Sequence, residues 1–161
     1  MGGVDVPRHP LSFREAHMPE SYASAVINAS AEEVWAYVRD PGNLSRWRPG
    51  IETCAIEDGG PPDRVGAVRR LIGVGDRVFR ERLTRLDDAA RCCSFDIIDC
   101  PLPVRDCRTT IRVAPVTDTG QAFVEWRAEF TADAADERAM TATFDQAVLG
   151  SALDLLRRRF G

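Results

Sequence analysis

The chain has 161 residues, of which 44% are hydrophobic and 29% charged, and its formal net charge is −4. This length allows one well-buried core and argues against two domains. All 21 basic residues are arginines and they are dispersed along the chain, so we expect no nucleic-acid partner. The absence of lysine excludes a lysine Schiff base. No apolar run or N-terminal signal pattern predicts a membrane span or export, so we expect a cytoplasmic protein.

The five cysteines form neither an even disulfide framework nor a metal-ligand spacing. We expect reduced, packed thiols, and we expect no metal and no cofactor, since no glycine-rich loop opens a helix to hold phosphate. Residues 1–19 are rich in proline and glycine and lack apolar periodicity, which is typical of a flexible arm. Both histidines, His9 and His17, lie in this arm, so a histidine-based catalytic triad would need the arm to fold over the body.

The remaining residues, 20–161, are predicted to form one domain whose elements follow a clear order. A strand at 20–27 precedes a capping box, Ser30 to Glu33, that starts a short helix. Asp40-Pro41 ends this helix and starts a second short one. Alternating apolar residues then predict six strands, at 51–57, 67–72, 77–86, 92–98, 107–113 and 122–130. A single long amphipathic helix is predicted over 136–160.

This order predicts an α+β fold in which an antiparallel meander packs its one apolar face on the long helix. Glu81 lies between Phe79 and Leu83 on that inner face, where a lone carboxylate would be unfavourable. Arg69 points the same way on the neighbouring strand and is the predicted partner. Two interpretations stay open: a structural ion pair, or an acid or base that acts on a ligand. Small residues at 150–152 in the long helix indicate either a close strand or a void.

Several motifs, in their order and spacing, resemble one known group. They are Ala31-x-x-Val34-Trp35, Asp40-Pro41-Gly42-Asn43-Leu44-x-x-Trp47, Gly66-Ala67-Val68-Arg69, Glu81-Arg82-Leu83 with Leu86-Asp87-Asp88, and Trp126-x-Ala128-x-Phe130. Residues 20–161 thereby resemble the helix-grip fold of the START and birch-pollen-allergen superfamily. Within it they are similar to the bacterial polyketide cyclase/dehydrase group and to the plant abscisic-acid receptors. The resemblance implies a curved antiparallel sheet of about seven strands with two short helices, wrapped around the long C-terminal helix.

The resemblance also implies a deep, mostly apolar cavity between sheet and helix; the alternative is an ordinary filled core. By position, the ligand-binding wall would comprise Leu71, Phe79, Leu83, Phe95, Ile97, Val104, Thr109, Trp126, Phe144, Val148 and Ala152. Such a wall suits a hydrophobic, aromatic or polyketide-like ligand. Glu81, Arg69 and Glu52 are the candidate catalytic residues. In the abscisic-acid receptors the position of Glu52 carries a lysine that holds the ligand carboxylate, so a glutamate facing inward would repel an acid.

Two loops, at 73–76 and 99–106, take the places of the receptors' gate and latch, and we interpret them as a simple entrance. The leading functional hypothesis is a cyclase or dehydratase of specialised metabolism that binds a hydrophobic small molecule. The alternative is a non-catalytic carrier or sensor of lipids or other small molecules, and a third class is a co-chaperone with a packed core. We expect a monomer or a homodimer.

Overall fold

Seven antiparallel strands form one curved sheet in the computed structural model, which describes residues 18–161. Residues 1–17 of the predicted arm, including His9 and His17, lie outside the described residues. The strands are β1 Glu20–Ile27, β2 Ile51–Ile56, β3 Val68–Gly73, β4 Arg77–Asp87, β5 Cys92–Asp99, β6 Arg105–Pro115 and β7 Ala122–Thr131. All seven predicted strands are present, and no predicted bound differs from the observed one by more than two residues. The strand order is β1-β7-β6-β5-β4-β3-β2, so β1 and β2 form the two edges.

Two short helices, α1 (Ala31–Val38) and α2 (Leu44–Trp47), connect β1 to β2, with a 3₁₀ turn (Pro41–Asn43) between them. The capping box is present, because the Ser30 hydroxyl accepts from the Glu33 N–H and the Glu33 carboxylate accepts from the Ser30 N–H at 2.9 Å. Trp35 and Trp47 are both buried and fix the two helices to the sheet. This short connection places the end of α2 over the inner face of the sheet.

The C-terminal helix runs without interruption but is not uniform. It consists of α3 (Glu137–Ala142), a π-helical segment (Thr143–Gly150) and α4 (Ser151–Phe160). A β-carbon on Gly150 would lie 2.8 Å from the Asp145 carbonyl oxygen, five residues earlier in the same helix. Glycine is therefore required by the wide π-helical turn and not by the approach of a strand. In α4, buried Ala152, Leu153 and Leu156 belong to the core.

The core lies between this helix and the inner sheet face. Alternate residues of β7 (Val124, Trp126, Ala128 and Phe130) are buried as predicted from their period of two. The alternation of β5, with Phe95 inward, predicts that Ser94 faces solvent; Ser94 is instead buried, and its hydroxyl pairs with that of Thr110 on the outer face at 2.9 Å. Among residues 18–161, no helix combines the length and apolar composition that a membrane span requires.

Candidate ligand-binding cavity

A cavity of about 270 Å³ lies between the inner face of the sheet and the π-helical segment. Its wall is formed by three residues each of β3 and β4, by single residues of β2, β5, β6 and β7, and by the helix from Thr143 to Val148. Pro49, Gly50 and Val74 are exposed residues of this wall and mark the mouth. The sheet and the helix therefore enclose an internal space that opens where the α2–β2 loop meets the β3–β4 hairpin.

Seven of the eleven residues predicted to bind a ligand lie along this cavity. Their role in binding stays a prediction. They are Leu71, Phe79, Ile97, Thr109, Trp126, Phe144 and Val148.

Four predicted wall residues do not line this cavity. A side chain that points inward can contact other core residues instead of the cavity, and strand alternation does not distinguish the two cases. Leu83 and Ala152 are 1% and 0% exposed and pack into the core. Phe95 is covered by the Arg69 guanidinium, whose carbon lies 3.7 Å from the ring centroid. Val104 is half-buried and packs against the core outside the cavity.

The cavity has eleven further wall residues that the predicted ligand-binding wall did not include, and five of them lie in connections between helices and strands. The structure places these residues at the mouth and along the helix face. They are Leu44, Arg48, Pro49, Gly50, Ile51, Gly73, Val74, Arg77, Leu102, Thr143 and Ala147.

Arg69 and Glu81 form the predicted pair on the inner face. They lie directly opposite each other on β3 and β4, and their side chains are only 7% and 12% exposed. Arg69 donates from Nε at 2.8 Å and from Nη2 at 2.5 Å to a single oxygen, Oε2 of Glu81. A third donor, Nη1, bonds the Pro41 carbonyl at 3.1 Å. The pair is thus satisfied on the arginine side, whereas Oε1 of Glu81 has no hydrogen-bond donor among residues 18–161.

Glu52, in contrast, does not face the cavity, so its expected inward orientation is wrong. Ile51 pairs with Gly73 and Thr53 with Ile72, which leaves Glu52 as the extra residue of a β-bulge. Its side chain is exposed and is not part of the cavity wall. The expected repulsion of an acidic ligand by Glu52 therefore has no structural basis.

Arg48 provides a second positive charge at the cavity. Pro49 restricts the preceding residue to extended backbone, and Arg48 leaves α2 with φ −94° and ψ 120°. Its guanidinium lies 5.3 Å from the centroid of Trp126, an inward-facing residue of β7. Its Nε is buried without a hydrogen-bond partner among residues 18–161, and no salt bridge in that range includes it. Burial lowers the pKa of Arg48 to about 10, with Glu81 opposing and Arg69 adding to the change.

The thiols and acidic groups of the described chain offer no other evident reactive centre. Burial raises the pKa of both Cys93 and Cys107 to about 12 and also raises that of Cys54, so these thiols stay protonated near neutral pH. None of the three lines the cavity. Among residues 18–161, no three His, Cys, Asp or Glu side chains are grouped as metal ligands.

The loop at 73–76, interpreted as part of a simple entrance, is tied to the opposite side of the mouth. Val74 N–H donates to the Gly50 carbonyl at 3.1 Å, and a β-carbon on Gly73 would lie 2.9 Å from that same oxygen. Glycine at position 73 is therefore explained by this close approach. From the other predicted entrance loop, at 99–106, Leu102 reaches the cavity.

Comparison with known proteins places these features in a family context. Residues 18–161 match the sequence model of the family described as polyketide cyclase / dehydrase and lipid transport. The protein XoxI from Bacillus cereus is 28% identical with a TM-score of 0.77, covering 89% of this chain and 96% of that one. A protein from Thermobifida fusca is 27% identical with a TM-score of 0.80, covering 88% and 93%. Norcoclaurine synthase from Thalictrum flavum, at 16% identity, shares the fold with a TM-score of 0.72, covering 99% and 95%. No curated protein matches the chain.

Proposed function

Because the chain belongs to the polyketide cyclase / dehydrase and lipid transport family, we propose that it binds a hydrophobic, ring-containing small molecule in the cavity and acts on it as a cyclase or dehydratase of specialised metabolism. The fold is a hydrophobic-ligand-binding fold. The observation that carries the proposal is the cavity itself, a mostly apolar and aromatic wall that also contains one carboxylate, Glu81, and three arginines.

The size and wall of the cavity support a small, flat ligand. Its volume of about 270 Å³ lies just below the roughly 300–1,000 Å³ of pockets that hold drug-sized ligands. Phe79, Trp126 and Phe144 supply aromatic surfaces on three different elements. A molecule of one or two rings, or a short chain folded into that shape, fits such a space.

The proposed chemistry relies on confinement first and on proton transfer second. A reactive chain that carries several carbonyl groups cyclises readily once the cavity holds it in a near-attack shape. Glu81 would accept or return a proton through Oε1, the oxygen that Arg69 does not use. Arg69 would keep the carboxylate in position from the neighbouring strand.

A non-catalytic carrier or sensor is the second candidate, and a different observation favours it. Both hydrogen bonds from Arg69 hold Glu81 in a buried ion pair. A carboxylate in such a pair serves as a fixed structural group without any reaction. In this case the polar atoms of the cavity would only orient the ligand.

Binding is tested by filling the cavity from the helix. Ala147 is an exposed residue of the cavity wall, so the ring of Ala147→Phe would occupy the mouth, whereas the exposed neighbour Gln146 lies outside the wall and Gln146→Phe is the matched control. We expect calorimetry to show 2-naphthamide binding to the wild type and to Gln146→Phe. Binding should weaken by roughly tenfold or more in Ala147→Phe. Equal affinity in all three proteins, or failure of the wild type to bind either 2-naphthamide or the corresponding acid, 2-naphthoate, would overturn the proposal.

Catalysis is tested on compounds that co-purify with the chain. Native mass spectrometry of the purified protein identifies them, and incubation followed by liquid chromatography and mass spectrometry detects cyclisation or the loss of one water. Turnover that depends on the chain supports the enzyme. Stable binding without conversion of any bound compound or its acyclic precursors supports the carrier.

A further inference from the structure

Arg48 is a half-buried cation whose Nε is shielded from solvent, and no salt bridge among residues 18–161 balances its charge. Arginine is rarely buried unless it is paired, and an unpaired charge in a low-dielectric site is unfavourable. Nε of Arg48 has no acceptor among residues 18–161, and its ring contact with Trp126, at 5.3 Å, replaces neither a hydrogen bond nor a counter-ion. The side chain is therefore placed to bind an acceptor that comes from elsewhere.

The one carboxylate in the cavity wall is already engaged. Glu81 receives both of its hydrogen bonds from Arg69, and no salt bridge joins it to Arg48. The charged residues of the wall are three arginines, Arg48, Arg69 and Arg77, against this single glutamate. The cavity thus has an excess of positive charge inside a chain whose formal net charge is −4.

We propose that the cavity selects hydrophobic ligands that carry a carboxylate, and that Arg48 binds this group while the ligand rings lie against Trp126 and Phe79. The inference rests on the proposed function, since it names the ligand class of the same cavity. A guanidinium offers paired N–H donors that match a carboxylate. The acid also supplies the counter-charge that Arg48 lacks, so the ligand carboxylate and the guanidinium are desolvated together as an ion pair.

The test compares two probes of nearly equal shape, 2-naphthoate and 2-naphthamide, by calorimetry at about pH 7 on the full chain. We expect the wild type to prefer the naphthoate. Arg48→Met should weaken naphthoate binding by roughly 10- to 100-fold and leave naphthamide binding within about twofold, the scale of one charge-assisted hydrogen bond. Arg48→Lys should retain part of the preference, because it keeps the charge and loses the paired donors.

Arg46→Met is the matched control. Arg46 lies two residues earlier, is exposed, and is not part of the cavity wall. Arg46→Met should leave the affinities for 2-naphthoate and 2-naphthamide unchanged. Arg48→Met should also melt at the same or a higher temperature than the wild type, because it removes an unpaired, half-buried charge, so loss of naphthoate binding would not reflect unfolding.

The pH dependence gives a second readout. Arg48 is charged below its pKa of about 10, so naphthoate affinity should be constant near neutral pH and fall as the pH rises through 10. The charged groups around it are Arg69 on β3 and Arg77 and Glu81 on β4 in the cavity, and Arg46, Arg158 and Arg159 in the surface groove between α2 and α4. Arg48→Met should lack this decline, and naphthamide affinity should not share it.

The outcomes separate the two proposals. Naphthamide binding with an unchanged preference between the probes in Arg48→Met would overturn the role of Arg48 and keep the cavity as a binding site. Equal affinity of the wild type for both probes would do the same. Failure of the wild type to bind either probe would overturn the proposed function and this inference together.

Discussion

Replacing Glu81 by glutamine removes one charge from the buried pair and preserves its shape. Breaking a buried ion pair from one side destabilises a protein by about 3–5 kcal/mol. Arg69 and Glu81 are 7% and 12% exposed, so most of this effect should appear. Glutamine retains a carbonyl oxygen that can accept from Arg69, and Arg69 keeps its bond to the Pro41 carbonyl. We therefore expect a loss at the lower end, about 3 kcal/mol, or a melting temperature lower by roughly 6–12 °C for a chain of this size.

The matched control is a cross-strand pair on the outer face of the same sheet. Asp96 and Arg108 are opposite each other on β5 and β6, and their side chains are 33% and 51% exposed. Asp96→Asn should lower stability by less than about 1 kcal/mol, because water screens this pair. Circular dichroism during heating and urea denaturation of both variants give the comparison. A Glu81→Gln loss no larger than the Asp96→Asn loss would refute the structural role of the pair.

Turnover and melting temperature, measured on the same sample of Glu81→Gln, show whether Glu81 also takes part in a reaction. If Glu81 transfers a proton, Glu81→Gln should lower turnover by roughly 10²- to 10⁴-fold, with little change in ligand affinity. If Glu81 only pairs with Arg69, activity per folded molecule should hardly change while stability falls. Turnover lost at an unchanged melting temperature would make Glu81 the first catalytic residue of the chain.

Three further substitutions test the elements around the cavity, each by urea denaturation. Ser30→Ala removes the helix cap and should lower stability by about 1 kcal/mol; no change would show that the capping box does not stabilise the fold. Phe144→Ala removes a ring that is 1% exposed and stacked on Phe130 with a centroid distance of 4.9 Å, and should lower stability by about 3–5 kcal/mol; a loss below about 1 kcal/mol would contradict this packing. Gly150→Ala places a methyl group 2.8 Å from the Asp145 carbonyl and should lower stability by about 1–3 kcal/mol. Equal or greater stability would mean that the segment adopts ordinary α-helical hydrogen bonding without penalty.

The sheet could be predicted closely because each strand buries one face, and a period of two then fixes both the strand and the direction of each side chain. The pairing of Arg69 with Glu81 followed from this rule alone. Glu52 could not be placed in the same way, since the bulge between Ile51 and Thr53 adds one residue and breaks the alternation. The sequence of this six-residue strand contains no pattern that predicts such a bulge.

The ends of the cavity were less predictable than its walls. Arg48 lies where a four-residue helix meets a loop, so no periodic pattern gives its direction. Its one sequence signal was the following Pro49, which requires extended backbone and so redirects the side chain. The π-helical segment was also hidden, because the apolar stripe through Phe144 and Val148 fits an α-helix as well. Gly150 was the one sequence sign of the wider turn. It could be interpreted only from the position of the Asp145 carbonyl, which the structure provides.

The bulge in β2 also affects how copies of this chain meet one another. β2 is an edge strand, and a regular edge offers a row of N–H and C=O groups to which a second molecule can add a strand. The extra residue disturbs the spacing of that row, and the exposed carboxylate of Glu52 brings like charges together when two such edges approach. A bulge and an exposed charge on the same edge strand therefore both disfavour edge-to-edge pairing of two copies.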